Sequence, residues 1–239
     1  MQRYFGLIAL VGLSTFLLSI TMLHILSVEI NWVDDYVSYL ANEPQGWLFG
    51  FGAFVHGLGN LALAFGLRAV LQPGRLRDWA VSLFAAAAVG ILLTAMFPID
   101  PIGAAVTLSG RIHRTLASGA FVLELISFFI FSVAFARDRN HHWQQQKYIS
   151  LSLAIISALA VVWFLVAEDN GVMLGLAERS ALGAFMLWEI WIINQLIRPL
   201  NHQNTDNTEL AMERHKREGG STPLLKVTGE RSESNLLKG

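Results

Sequence analysis

The sequence predicts an all-α fold, a polytopic membrane bundle of six transmembrane helices, and three observations carry that prediction. Hydrophobic residues make up 54% of the 239 and charged residues 15%, and the apolar ones stand in long blocks instead of the periodic scatter of a soluble fold. A bilayer core of about 30 Å needs about 20 apolar residues in a helix, and the chain carries blocks of that length. Lys and Arg are concentrated in alternate connections between the blocks, as expected when successive helices reverse direction across a membrane.

In chain order the six spans run approximately Phe5–Val28, Trp47–Leu71, Trp79–Phe97, Thr115–Ala136, Tyr148–Ala167 and Ser180–Ile197. The first is too long for the apolar region of a signal peptide, and Ser27-Val28-Glu29 is a poor small-residue cleavage site, so it reads as a retained anchor. Arg3, then Arg68, Arg75 and Arg77, then Arg137, Arg139 and Lys147 mark one side as cytoplasmic. The opposite connections carry Glu29, Asp34, Asp35 and Glu43; Asp100 with Arg111 and Arg114; and Glu168, Asp169, Glu178 and Arg179. Both termini are therefore expected in the cytoplasm, with the chain in the cell (inner) membrane. Trp32, Trp47, Trp79, Trp143 and Tyr148 lie near span ends, where amphipathic rings anchor at headgroup level. Residues 1–200 are expected to form the transmembrane domain. Residues 201–239, with mixed charge, Gly and Ser, cannot bury enough apolar surface to fold alone and read as a mobile cytoplasmic tail, with a short helix conceivable over Thr205–Glu218.

Composition also excludes several functions. A net charge of −1 leaves no basic face for a nucleic acid. With no cysteine there is no disulfide, thiolate nucleophile or cysteine-bound metal. No cofactor is expected. The second, fourth and sixth spans share a small-residue signature, Gly52-Ala53-Phe54, Gly119-Ala120-Phe121 and Gly183-Ala184-Phe185, consistent with three repeated helical hairpins in which Gly and Ala let backbones approach.

Polar groups inside spans cost roughly 2.5 to 3.5 kcal/mol each on insertion scales, so each needs a partner or a cavity. His24 shares a helix face with Ser14 and Thr21 and reads as a structural hydrogen-bonding group. Haem ligation would need two histidines at matched depth, whereas His56 lies near mid-membrane and His24 and His113 near its edge. His56, Glu124 and Glu189 each fall nine or ten residues inside Trp47, Arg114 and Arg179, which places all three near mid-membrane. His113, Ala117, Ala120 and Glu124 follow one face of the fourth helix, and Glu178, Leu182, Phe185 and Glu189 one face of the sixth. Glu124 and Glu189 are expected to face inward with at least one protonated at neutral pH, and His56, with Asn60 one turn below, is the expected neighbour. A proton or cation relay, a headgroup pocket and a set of interhelical hydrogen bonds are all compatible with this centre.

A second group of polar residues converges on the outer face: Asp34-Asp35-Tyr36-Val37-Ser38, Phe97-Pro98-Ile99-Asp100, Ile112-His113 and Gly175-Leu176-Ala177-Glu178-Arg179. The candidate outer site comprises Asp35, Ser38, Asp100, His113, Glu178 and Arg179, and Pro98 should end the third helix. Through the acid-to-Ser38-x-Leu40 segment, the Phe-Pro-x-Asp exit, the histidine and the Glu-Arg pair, nearly all six helices resemble a large bacterial integral-membrane family of unknown function, the nine-nine-eight family. A weaker likeness to DRAM-type and Frag-type membrane proteins lies in the segment before Pro44. The resemblance implies no reaction. Two kinds of function fit the residues. Asp100, His113 and another acid can bind a divalent cation or act as acid and base on a lipid headgroup, with Ser38 as donor or nucleophile. The favoured reading is binding of a lipid, ion or partner without turnover, the same residues locking the loops through Glu178 to Arg179 or Asp100 to Arg111 contacts. A membrane hydrolase and a proton- or cation-coupled transporter are the alternatives. Membrane lipids are the expected partners, with an ion, a small ligand or a second copy of the chain also compatible.

Overall fold

A computed structural model of the chain describes residues 1–27 and 29–198. The expected tail over 201–239, including the helix over Thr205–Glu218, lies outside the described residues. Six α-helices follow one another: α1 (Gln2–Leu26), α2 (Trp47–Val70), α3 (Arg75–Thr94), α4 (Leu108–Ala136), α5 (His141–Asn170) and α6 (Leu174–Ile197). A 3-10 helix, Val37–Asn42, stands in the first connection. All six are long and apolar enough to cross a membrane; even α3, with 20 residues, covers about 30 Å at the helical rise. The protein is a multi-pass membrane protein.

The helices extend beyond the apolar blocks. Helix α3 begins at Arg75, α4 at Leu108 and α5 at His141, because polar first turns remain helical once a cap and a tertiary contact hold them. Thr107 caps α4 by accepting the Gly110 N–H, and Asn140 caps α5 by accepting the His142 N–H. Helix α3 ends at Thr94, before Pro98. His113 thus lies within the second turn of α4.

Each helix packs on its neighbours in the chain, and α1 closes the ring against α6. Both termini of the bundle lie at one end, where Gly6 faces Ile197 and Leu196; we call this the terminal end and the opposite one the distal end. The tightest seam is α1 on α2. A Cβ on Gly12 would lie 2.8 Å from the Val55 carbonyl oxygen, and one on Gly59 3.1 Å from the Gly12 Cα, so the two backbones touch as small residues allow in membrane bundles. Gly52 meets Ser19 one turn pair further on. The other two copies of the shared signature behave differently: Gly119 and Gly183 have nothing near them, and in all three helices the inward residue is the alanine, Ala53, Ala120 or Ala184. The expectation that glycine brings the backbones together at each copy therefore holds for α2 alone.

The terminal half of the ring is filled by aromatic rings. Phe84, Phe128, Phe131, Phe135 and Trp188 are almost fully buried, with Phe128 stacked on Trp188 at 4.1 Å between centroids. Trp188 donates to the Ser150 hydroxyl at 3.0 Å, itself bonded to Ser132 at 2.7 Å, tying α4, α5 and α6. Trp143, expected as an interfacial anchor, is instead buried and stacked on Phe135 at 5.3 Å. At the same end Asp138 is buried; it accepts the Gln72 and Asn140 N–H groups, both at 2.8 Å, and so joins two connections.

Candidate functional site

The distal half of the ring is hollow. A cavity of about 160 Å³ reaches from the distal end to the middle of the bundle. The two predicted faces both line it: His113, Ala117, Ala120 and Glu124 from α4, and Glu178, Leu182, Phe185 and Glu189 from α6. Next to its inner end, Phe128, one turn after Glu124 on α4, stacks on Trp188, the residue before Glu189 on α6.

At the floor three helices bring polar groups together. His56 of α2 donates from Nε2 to Glu189 Oε2 of α6 at 2.9 Å, and Asn60 donates from Nδ2 to Glu189 Oε1 at 2.7 Å. Phe16 of α1 stacks on the His56 ring at 5.0 Å and fixes its plane. The Glu124 carboxyl meets that of Glu189, yet its Oε1 is buried without a hydrogen-bond donor. Glu124 and Glu189 are 4% and 1% exposed, so neither relies on water at its own surface. A buried oxygen left without a donor costs about 1 to 3 kcal/mol, and a carboxyl-to-carboxyl hydrogen bond requires a hydrogen on one of the two.

The mouth is built by the first connection, which folds across the distal end and docks on the start of α6. Leu176 N–H donates to Val33 O at 2.9 Å, Met173 N–H to Asp34 Oδ1 at 3.2 Å, and Val37 N–H to Glu178 Oε2 at 2.5 Å. Gly175 permits this approach, because a Cβ there would overlap the Asp35 carbonyl oxygen. Tyr36 donates to Glu168 Oε1 of α5 at 3.0 Å; burial first, and then this bond, raise the Tyr36 hydroxyl above its ordinary pKa and keep it a donor. Tyr36, Val37 and Ser38 line the cavity from this strap, with Glu168, Glu178 and Arg114 around them.

The six residues of the expected outer site do not form one cluster. Ser38, His113 and Glu178 line the cavity. Asp100 is turned away from it and caps α4: its Oδ1 accepts the Thr107 hydroxyl at 2.6 Å and its Oδ2 the Thr107 N–H at 3.1 Å. The Thr107 hydroxyl is the main cause of a lowered Asp100 pKa, with burial acting in the opposite sense. His113 donates from Nδ1 to Phe97 O at 2.7 Å, pinning the end of α3 to α4. Asp35 accepts the Asn31 N–H at 2.8 Å. Arg179 does not pair with Glu178, its neighbour in sequence; it donates to the Asp35 carbonyl at 2.8 Å and to His24 Nε2 at 2.9 Å. Since that nitrogen accepts, His24 carries its hydrogen on Nδ1, which donates to Ile20 O at 2.8 Å. Ser14 and Thr21, expected on the protein-facing side with His24, are exposed on the bundle surface. Likewise Asp100 meets Thr107 and not Arg111.

Among the described residues no group of three or more His, Asp and Glu is placed to hold a metal ion. Ser38 makes no hydrogen bond to a histidine or carboxylate among the described residues. The family model described as Protein of unknown function (DUF998) matches residues 10–193. The chain belongs to that family. The match runs from within α1 to within α6 and takes in every residue of the cavity. No curated protein and no solved structure matches the chain. Sequence reasoning missed the 3-10 strap, the Tyr36 to Glu168 bond and the Arg179 to His24 bond. The one available signal was the acid-rich first connection opposite Glu178 and Arg179.

Proposed function

We propose that this DUF998 protein binds a small amphiphile or the headgroup of a membrane lipid in the distal cavity, without chemical turnover. The observation that carries the reading is the cavity itself: mostly apolar walls from Phe49, Phe121, Phe164 and Phe185 and a few convergent polar groups at its inner end. Pockets of this composition are the usual small-molecule sites. A volume of about 160 Å³ resembles the roughly 150 Å³ apolar cavity known to hold a single benzene, so a ring or a headgroup fits and a whole lipid does not. Ser38, with no histidine or carboxylate partner among the described residues, favours binding over headgroup hydrolysis. The aromatic packing of the terminal half, Phe84, Phe128, Phe131, Phe135 and Trp188, favours binding over passage, because a transported solute would have to displace it.

The basic residues at the terminal end, Arg3, Arg68, Arg75, Arg77, Arg137, Arg139 and Lys147, favour an orientation in the inner membrane with both termini cytoplasmic and the cavity opening outward. Native mass spectrometry of the protein released from a mild detergent tests the binding reading. Wild type and Val122→Trp, a change on the outward face of α4, should retain an amphiphile that Ala117→Trp, a change inside the cavity, excludes. Equal retention by all three would remove the cavity from the account. A reporter inserted near Asn42 should be extracytosolic and one after Lys147 cytoplasmic; the reverse pattern would invert the orientation.

A further inference from the structure

We infer that the floor of the cavity is a site for an organic ammonium group, with Glu124 as the anchoring residue; this rests on the binding reading above and names the ligand class. The first observation is an imbalance of partners. Four carboxyl groups line the cavity: Glu168, Glu178, Glu189 and Glu124. Tyr36 satisfies Glu168, the Val37 N–H satisfies Glu178, and His56 with Asn60 satisfies Glu189. Glu124 alone is left with a buried oxygen that no donor reaches, against the carboxyl of Glu189. An ammonium brings three hydrogens and no acceptor, so it can donate to Glu124 and to Glu189 at once from the position a bridging proton would occupy.

The second observation is the wall. Phe16, Phe121 and Phe185 line the cavity, Phe16 stacked on His56 and Phe121 and Phe185 one turn from Glu124 and Glu189, and aromatic faces attract ammonium groups, more strongly where water is excluded. Arg114, a fixed positive charge of the lining, sits at the exposed mouth, ten residues or about 15 Å from Glu124 along α4. An anionic ligand at the floor would therefore meet carboxyl groups without a cation to pair with. A neutral ligand would leave Glu124 to a bridging proton.

That exchange gives the site a pH dependence of known sign. The groups facing Glu124 are Glu189 on α6 and His56 on α2; towards the mouth stand Glu178, Glu168 and His113, while α3 presents Ile91 and Thr94 and α1 presents Phe16, none of which titrates. Since the ammonium displaces a proton from the pair, its affinity should rise with pH over the range in which the amine stays charged.

Benzylammonium and benzyl alcohol are suitable probes, being nearly isosteric and of a size the cavity accepts. Their binding to the full chain in lipid nanodiscs is measured by calorimetry at pH 6 and pH 8. The expected result is a preference of tenfold or more for benzylammonium that grows at pH 8, with benzyl alcohol unchanged by pH. Glu124→Gln should bring benzylammonium down to the affinity of the alcohol while the alcohol still binds. If both probes bind the wild type equally, or if the preference survives in Glu124→Gln, the ammonium site is wrong and the cavity reading stands. If neither binds the wild type, both fall. The wild-type comparison alone decides the matter should the variant fail to fold.

Discussion

Replacing His56 by Phe keeps a ring against Phe16, whose stacking on His56 at 5.0 Å would otherwise be lost, and removes the Nε2 donor from Glu189. Glu189 is 1% exposed and would be left with Asn60 as its donor. The two groups are buried and 2.9 Å apart, and leaving a buried acceptor without its donor costs about 1 to 3 kcal/mol, more for a charged one. Breaking a buried pair by removing one partner costs about 3 to 5 kcal/mol in practice, because the remaining charge is stranded. Replacing both partners by apolar groups of similar volume is often close to neutral. His56→Phe should therefore lower unfolding stability by about 3 kcal/mol or more, and His56→Phe with Glu189→Leu should recover most of that loss. The assay is unfolding in mixed micelles with increasing SDS, followed by the circular dichroism of the buried tryptophans. A single-variant loss below about 1 kcal/mol, or a double variant no better than the single, would refute the claim that Glu189 depends on His56.

Further outcomes follow from other contacts. Gly12→Val should cost about 1 to 3 kcal/mol in the same assay, since its Cβ cannot fit 2.8 Å from the Val55 carbonyl without moving α1 off α2; Gly119→Val, with open space around it, is the control that should stay near wild type. Phe128→Ala should cost about 3 to 5 kcal/mol and deepen the cavity, detectable as binding of probes one ring longer than those the wild type accepts. Asp100 has a lowered pKa in the fold, so its contribution is complete above the ordinary carboxyl pKa and is lost as pH falls through the lowered value. Hydrogen exchange at the first turn of α4 should accordingly speed up on acidification below about pH 4, and Asp100→Asn should lose that pH dependence.

The membrane architecture was legible because it depends on block length and on basic residues, quantities a sequence displays directly. The inward faces of α4 and α6 were legible for a similar reason: His113 to Glu124 and Glu178 to Glu189 keep helical spacing, and a polar residue in a span must find the interior. What the sequence could not display was the partner each polar group takes. Glu178 and Arg179 are adjacent in the chain, and adjacent residues on a helix point about 100° apart, so Arg179 reaches His24 and the Asp35 carbonyl while Glu178 meets the Val37 N–H. Asp100 looked like a site residue because it stands at a membrane exit, but the start of a helix needs a cap, and Asp100 is taken up in holding the cap residue Thr107 of α4 through its N–H and hydroxyl. The helix boundaries were misjudged where polar turns continue a helix, as in Leu108 to Arg114. The glycine signature was common to three helices, yet only the position of a neighbouring helix decides whether a missing Cβ is used.

The contrast between the two halves of the bundle bears on why the polar floor exists. In the terminal half the same helices fill their shared space with Phe84, Phe128, Phe131, Phe135 and Trp188; Ser150 satisfies the Trp188 indole, while the Trp191 indole and Gln195 Oε1 are buried without a partner. Stability alone would extend that solution upward, since apolar replacement of a buried ionisable group is neutral or favourable as often as not. Instead, one helical turn before Phe128 on α4 and directly after Trp188 on α6, α2, α4 and α6 contribute a histidine, an asparagine and two carboxyl groups, one of them with an unpartnered oxygen. The cavity runs along the α4 and α6 faces down to these groups. At this depth the arrangement forgoes packing and leaves an acceptor unfilled, and the ligand proposed above would supply the missing volume and the missing donor together.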